Sequence, residues 1–170
     1  MTVQEDSVDT ERTRVVTWAD PAVTAAAAHG RSGLEFMRAL AEGEVPPPPI
    51  ISTIGARLDR VAEGEAVFSL EPAEYHYNPI GSVHGGIYAT LLDSATGCAV
   101  HTMLPAGVGY TSLDLSVKFL RAMRIGTGTV TCSGTVTHLG RRTALAEARL
   151  VTATGQLLAT ATSSCLILRP

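Results

Sequence analysis

One segment of this sequence, His84–Leu104, restricts the possible fold more than any other. Apolar and small side chains occupy almost every position around the helix that it would form, over about five turns. A helix with hardly any polar face is stable only where other elements cover it on nearly all sides. The remainder of the chain therefore has to wrap around this segment.

The segments on either side of this helix have the pattern of β-strands. Side chains alternate between two faces, with Leu113, Leu115, Val117 and Phe119 on one face and Ser112, Asp114, Ser116 and Lys118 on the other. Alternation with period two predicts a strand in a sheet that buries one face. The predicted strands are Ile54–Val61, Glu65–Glu71, Ser112–Arg121, Gly126–His138, Arg142–Ala153 and Gln156–Leu168.

Short connections join several of these strands. Glu63-Gly64, Leu139-Gly140 and Thr154-Gly155 provide turns, and connections of this length make neighbouring strands antiparallel. One long buried helix among five or six antiparallel strands implies a sheet that curls around it. The predicted fold class is therefore α+β, in the hotdog arrangement of an antiparallel sheet wrapped around a long central helix.

The chain divides into three predicted parts. Residues 1–17 are polar and acidic and are expected to be disordered. Residues 18–49 are expected to form an N-terminal helical segment, with a capping box at Ser32 and Glu35, followed by a stiff proline linker at Pro46–Pro49. Residues 50–170 are predicted to form the hotdog domain.

Composition argues against several classes of function. The 170 residues carry a net charge of −3 without a basic cluster that would bind nucleic acid, and no apolar run reaches the ~20 residues of a membrane span. The three cysteines have no redox or metal-binding spacing, and the five histidines have no ligand spacing. We therefore expect free, buried thiols in a reducing compartment, a cytoplasmic location, no metal and no cofactor.

The start of the apolar helix has the features of an anion-binding site. His84, Gly85 and Gly86 open it, and the amides of a first helical turn have no partners within the helix. Glycine allows a ligand to approach closely, so these amides could receive a carbonyl oxygen that becomes negative during acyl transfer. The alternative is that the two glycines only permit tight packing.

Asp93 lies in the middle of the same helix. Aspartate is unfavourable inside a helix, and a carboxylate is costly to bury, so its presence requires compensation. Either an arginine pairs with it, or it is a catalytic base, since apolar surroundings raise the pKa of a carboxyl group. Upstream, the amide of Asn78 could hold a water or a carbonyl group, although Asn-Pro is also an ordinary turn element.

The spacing along the helix indicates a site shared between two copies of the chain. Asp93 follows Gly86 by seven residues, which is about 10 Å along the helix axis. Its side chain leans back towards the N-terminus by only a small part of that distance, so it is poorly placed to act beside the amides of its own helix. If both act on one carbonyl group, they come from different subunits. We therefore predict a homo-oligomer with active sites at a dimer interface.

Three stretches together resemble the PaaI-type thioesterases, a family of hotdog-fold acyl-CoA hydrolases related to phenylacetyl-CoA thioesterase. They are Asn78–Gly86, Leu91–Ala95 and Leu113–Arg121, within a resemblance that extends over about residues 50–168. The combination of a His-Gly-Gly start, an aspartate seven residues later and the apolar strand is more specific than any of its parts.

The resemblance implies a role for each matching residue. Asp93 corresponds to the carboxylate that acts as general base on water or as nucleophile. Gly85 and Gly86 correspond to the amides that polarise the thioester carbonyl, with His84 beside them. Asn78 corresponds to a polar residue that helps to position the thioester or the water.

The resemblance also implies contacts with water and with coenzyme A. Ser112, or its neighbour Thr111, corresponds to a hydroxyl that assists the attacking water. The turn at Gly140, Arg141 and Arg142 corresponds to one that meets the nucleotide of coenzyme A, whose phosphates suit two guanidinium groups. A solvated turn is the alternative for these arginines. Family members form dimers that commonly pair into tetramers.

The implied reaction is hydrolysis of an acyl- or aryl-acyl-CoA to the free acid and coenzyme A. Two other functions on the same fold stay open at this stage: a non-catalytic acyl-CoA-binding or sensing protein, and an acyl-CoA hydratase or dehydratase. An aspartate on the helix, together with the His-Gly-Gly start, favours hydrolysis. The identity of the acyl group does not follow from the sequence.

Overall fold

The computed structural model describes residues 11–169, in which one antiparallel sheet packs with four α-helices. The strands are β1 (Ala56–Ala62), β2 (Glu65–Leu70), β3 (Gly109–Ser112), β4 (Ser116–Phe119), β5 (Val130–Leu139), β6 (Thr143–Thr152) and β7 (Leu157–Leu168). The helices are α1 (Pro21–Ala27), α2 (Gly33–Ala41), α3 (Pro49–Ile54) and α4 (Gly85–Thr102). The strands follow the order β1-β2-β5-β6-β7-β3, and β4 also pairs with β7. The predicted α+β class is confirmed.

Helix α4 lies against the inner face of this sheet, as its apolar sequence predicts. Leu91, Leu92 and Ala95 are fully buried there. Strand β5 approaches the helix most closely at Gly134, where any side chain would collide with the carbonyl group of Ala95. The contact between helix and sheet therefore depends on a position without a side chain as well as on apolar packing.

One stripe of α4 stays uncovered in the single chain. Gly86 and Asp93 are exposed, and Thr90 between them is half-buried. Residues at this spacing share one face of a helix. The helix is therefore covered on nearly all sides, as expected, and this remaining face offers little apolar surface to bury because its residues are small or polar.

The strand predicted at Ser112–Arg121 is in fact two strands, β3 and β4. Both pair with β7. Ser112 lies opposite Cys165, and Ser116 lies opposite Thr162. The edge segment therefore has one more residue between these two pairs than β7 has. Asp114 lies in this irregular stretch, and its carboxylate accepts a hydrogen bond from the N–H of Ser164 at 3.0 Å.

The extra residue shifts Leu113 out of the alternation with Leu115, because it turns successive side chains to different faces. Phe119 lies beyond this irregularity, in the same register as Val117, at the end of β4. Leu115 and Val117 are half-buried against the core. Leu113 and Phe119, predicted to share their face, are each 57% exposed. The edge of the sheet formed by β3 and β4 therefore presents apolar side chains to solvent.

The N-terminal segment follows the prediction in its first half and departs from it in its second. The capping box of Ser32 and Glu35 is present and starts α2. Pro49, predicted to belong to the extended linker, instead begins α3, because proline is tolerated in the first turn of a helix. Gly55 ends α3 in the left-handed conformation, with φ 72°.

This segment is attached to the rest of the fold at several points. Gly33 lies so close to the carbonyl group of His101 on α4 that a side chain there would collide with it. The Arg14 guanidinium donates to the Thr53 carbonyl on α3 and lies 3.7 Å from the ring centre of Tyr75. Of the part predicted to be disordered, residues 11–17 form neither helix nor strand, and residues 1–10 lie outside the described residues.

Within residues 11–169, no helix is both long and apolar enough to cross a membrane. All three cysteines are free thiols, as predicted. Cys132 and Cys165 are buried, whereas Cys98 is only partly buried.

Candidate active site

The loop that leads into α4 is held by hydrogen bonds to neighbouring elements. The N–H of His84 donates to the carbonyl of His76 at 2.8 Å, and the N–H of Val83 donates to the carbonyl of Met123 at 2.9 Å. The ring of His76 is itself buried, with its Nε2 2.8 Å from the carbonyl oxygen of Ile54. These bonds fix the first turn of α4 relative to the sheet.

The two amides predicted to bind the carbonyl oxygen differ in their surroundings. The N–H of Gly86 donates to Nδ1 of the His84 ring at 2.9 Å, so His84 caps the helix with its own side chain. The N–H of Gly85 has no acceptor within residues 11–169. Gly85 therefore presents a free donor, whereas the amide of Gly86 is already satisfied.

A recess of about 390 Å³ opens beside this helix start, and both Asn78 and Gly85 line it. The Asn78 side chain belongs to the turn that precedes the helix: its Oδ1 accepts from the N–H of Ile80 at 3.0 Å, and its Nδ2 donates to the hydroxyl of Ser82 at 3.3 Å. Asn78 therefore acts as an ordinary turn residue, which was the alternative to a role in holding a water or a carbonyl group. One amide hydrogen of Asn78 is left for another acceptor.

Two aromatic residues complete the recess. The ring of Phe119 lies over Gly85, where an added Cβ would be 3.2 Å from the ring Cζ. The same ring meets Tyr88 edge to face, with the ring centres 5.6 Å apart. No local sequence motif marks these two residues, because their contact depends on how β4 lies beside α4.

The carboxylate of Asp93 is held by Ser112. The Ser112 hydroxyl donates to Oδ1 of Asp93 at 3.1 Å, although the two residues lie 19 positions apart in the sequence. Asp93 is exposed in the single chain, and no cation within residues 11–169 forms an ion pair with it. Among the described residues, no arginine therefore pairs with Asp93 to offset its charge. Thr111 precedes Ser112 on β3 and is also exposed.

Two further side chains adjoin this carboxylate. These are Tyr110, on the same strand as Ser112, and Cys98 of α4, whose side chains lie near each other. Burial, followed by the negative charge of Asp93, raises the pKa of the Cys98 thiol to about 12, and burial raises the pKa of Tyr110 well above its usual value. The raised pKa keeps the Cys98 thiol protonated at neutral pH, and the thiolate is the reactive form of cysteine. The Asp93 carboxylate is left as the candidate base of this cluster.

The chain therefore places its predicted site residues in two groups along α4. Asn78, His84 and Gly85 lie at the N-terminal end of the helix, and Asp93 and Ser112 lie at its middle. Gly85 and Asp93 are eight positions apart, or about 12 Å along the helix axis. Neither Asp93 nor Ser112 lines the recess beside Gly85.

A third group of predicted residues forms the turn between β5 and β6. The N–H of Gly140 donates to the carbonyl of Thr143 at 2.8 Å, which closes the turn. Arg141 and Arg142 are exposed, and in the described part of the chain no carboxylate forms an ion pair with either. Both guanidinium groups are therefore accessible to an anionic ligand.

Comparison with known proteins relates this arrangement to a family. Residues 80–159, which include the helix start, Asp93 and Ser112, match the model of the thioesterase superfamily. A “putative esterase” of Halobacterium salinarum is 33% identical over 119 residues, which cover 67% of this chain and 77% of that protein. The chain belongs to the thioesterase superfamily.

Two further similarities agree with this membership. The 1,4-dihydroxy-2-naphthoyl-CoA hydrolase of Listeria monocytogenes is 28% identical over 106 residues, which cover 62% of this chain and 85% of that enzyme. The crystal structure of a phenylacetic acid degradation-related protein of Ralstonia eutropha JMP134 has a TM-score of 0.69 and 27% identity, covering 76% of this chain and 98% of the other. The predicted hotdog fold and the resemblance to PaaI-type proteins are confirmed, and the superfamily is one of thioester hydrolases.

Proposed function

We propose that this thioesterase-superfamily protein is a homo-oligomeric acyl-CoA thioesterase, which hydrolyses an acyl- or aryl-acyl-CoA to the free acid and coenzyme A. The observation that carries the proposal is the Asp93 carboxylate, which is held by Ser112 and has no cationic partner within residues 11–169. A carboxylate oriented by a hydroxyl and open to solvent is suited to take a proton from water. The similarity to a CoA-thioester hydrolase supports the substrate class.

In the proposed reaction, Asp93 takes a proton from a water molecule that also bonds to Ser112, and the water oxygen attacks the thioester carbonyl carbon. The free N–H of Gly85 and the positive end of the α4 dipole stabilise the negative charge that develops on the carbonyl oxygen. The intermediate collapses with cleavage of the carbon–sulfur bond, and the proton on Asp93 passes to the thiolate of coenzyme A. We favour the base role over nucleophilic attack because Ser112 is positioned to hold a water beside the carboxylate.

The proposal assigns the amide and the carboxylate of each site to different subunits. Large apolar side chains are exposed around the recess and along the outer edge of the sheet, namely Ile80, Leu113, Phe119, Leu120 and Ile125. The free edge of β3 and β4 pairs with no other strand of the described chain. A second copy packed on this edge would cover the open stripe of α4 and bring its own Gly85 to Asp93. We expect dimers, which in turn pair into tetramers.

Other predicted residues support the reaction without entering it. Arg141 and Arg142 are proposed to bind the phosphates of the coenzyme A nucleotide, because both guanidinium groups are accessible to an anion. Asn78 is proposed to shape the loop before Gly85 and to offer its remaining amide hydrogen to the substrate. Thr111 lies beside Ser112 and is proposed to line the path of the water.

Release of free thiol from a panel of acyl-CoA substrates tests the proposed function. We expect steady release of coenzyme A with at least one apolar acyl group, since hydrolysis frees the thiol at every turnover. A hydratase would instead convert enoyl-CoA substrates without releasing thiol, and a binding protein would retain the thioester. Either of these results would contradict the proposal.

A further inference from the structure

A second cavity, of about 380 Å³, lies between the N-terminal segment and the sheet. Its outer wall comes from α2, from the proline-containing loop and from α3, and its other walls come from β1, β2 and α4. The interior is mainly apolar, with Met37, Leu40, Ile51, Leu58 and Phe68 among its lining residues. Its two charged lining residues, Glu42 and Arg57, are exposed, which places charge at the surface rather than inside.

The inner wall of this cavity reaches the helix that carries the candidate base. Ser94 and Cys98 of α4 line it, and Ser94 directly follows Asp93. Cys98 also lies near Tyr110, on the strand that carries Ser112. The cavity therefore reaches the turn of α4 that carries Asp93, and it shares no lining residue with the recess at Gly85. Cys98 contributes an uncharged side chain to this wall, because burial raises the pKa of its thiol and keeps it protonated.

We infer that this cavity holds the acyl group of the substrate, so that the N-terminal segment selects which thioester is hydrolysed. The inference rests on the proposed function, because it takes the reacting carbonyl group to lie at Asp93. A dry apolar cavity of roughly 150 Å³ accommodates benzene. A cavity of about 380 Å³ is roughly two and a half times as large, which corresponds to an apolar acyl group of roughly ten to fifteen carbon atoms.

The residues that would select the acyl group are largely distinct from those proposed to catalyse hydrolysis. The family match begins at residue 80, so of the cavity's lining residues it includes only Ser94 and Cys98. The rest of the wall belongs to residues 37–68, which contain none of the proposed catalytic groups. Changes in this wall should therefore alter which substrate is used while leaving the reaction of small acyl groups intact.

Filling the cavity from its outer wall tests the inference. Ala41→Phe, at the end of α2, adds a phenyl ring to a half-buried lining position, and Ser52→Phe does the same from α3. Ala26→Phe is the matched control, because Ala26 is an exposed residue of α1 that does not line the cavity. Hydrolysis of acetyl-CoA, decanoyl-CoA and naphthoyl-CoA is compared. Decanoyl and naphthoyl represent straight-chain and fused-ring acyl groups, and acetyl is too small to fill the cavity.

In the unmodified protein, kcat/KM should rise with acyl length by up to about fourfold for each methylene buried. Both cavity variants should lower kcat/KM at least about tenfold for decanoyl-CoA, naphthoyl-CoA or both, since several methylenes or a ring lose their burial. Acetyl-CoA hydrolysis, and all activities of Ala26→Phe, should change less than about twofold. Unchanged values for both large substrates, or equal losses for all three, would overturn the inference.

A binding measurement separates failure of this inference from failure of the proposed function. Decanoic acid should raise the Tm of the unmodified protein and of Ala26→Phe, but not of Ala41→Phe or Ser52→Phe, because a ligand that binds the folded state stabilises it. If no thioester is hydrolysed but this pattern holds, the proposed function fails and the apolar site stands. If hydrolysis proceeds and decanoic acid affects all four proteins alike, the cavity is not the acyl site.

Discussion

Replacing Asp93 with asparagine is expected to lower kcat/KM for acyl-CoA hydrolysis by about 100- to 10,000-fold, the usual loss when a positioned base is removed. Asparagine has nearly the same shape and can still accept the hydrogen bond from Ser112, which measures 3.1 Å in the native protein. It cannot take a proton from water. The variant therefore removes the proposed chemistry and leaves the contact that orients the side chain.

The fold should survive this substitution, because Asp93 is exposed and forms no ion pair within residues 11–169. Thermal unfolding of the variant should differ little from that of the native protein. Glu147→Gln is the matched control, since it removes a carboxylate from an exposed position on β6. If Asp93→Asn retained native activity, or if Glu147→Gln lost as much, Asp93 would not be the base.

Replacing Gly85 with proline is expected to lower kcat by about 100- to 1,000-fold, because it deletes the N–H proposed to stabilise the oxyanion. Gly85 is the first residue of α4, the helix position where proline is best tolerated. The preceding residue, His84, already has φ −62° and ψ 138°, which is the extended conformation that a following proline requires. The helix should therefore form normally without this one donor.

Gly85→Ala is the matched control for this variant. Alanine places the same Cβ about 3.2 Å from the ring of Phe119 but keeps the N–H. Phe119 is 57% exposed and can shift by the small distance that is needed. Activity should therefore be much higher in Gly85→Ala than in Gly85→Pro, measured as kcat at saturating substrate. Equal activity in the two variants would show that the Gly85 amide has no part in catalysis.

The sequence predicts the fold well where a pattern reflects burial within the chain itself. The apolar character of α4 follows from its packing on the sheet, and the glycine turns follow from backbone conformations such as φ 75° at Gly64. The pattern misleads at the edge of the sheet, where alternation does not guarantee burial within the chain. Residues 113 to 119 alternate as a half-buried strand would, yet Leu113 and Phe119 are exposed at the sheet edge.

The site is predictable to the level of residue types and not to the level of individual atoms. Asp93 is singled out by its place in an apolar helix, and Ser112, with Thr111 as the alternative, is implied by the family resemblance. The hydrogen bond between Asp93 and Ser112 depends on where β3 lies beside α4. The two glycine amides look alike in the sequence, and only the His84 ring on Gly86 distinguishes them. The second cavity has no sequence signal, because its walls come from elements between residues 37 and 98 that meet only in the folded chain.

We propose that the Gly85 amide and the Asp93 carboxylate of one active site belong to different subunits. Asp93→Asn and Gly85→Pro subunits, carrying different tags, are co-expressed, and the mixed dimers are purified through both tags. Each mixed dimer would hold one site with both groups intact and one site with neither. Activity should return to about half of the native value per dimer, far above that of either parent variant. Activity that stays at the level of the parent variants would place both groups in one chain and contradict the shared site.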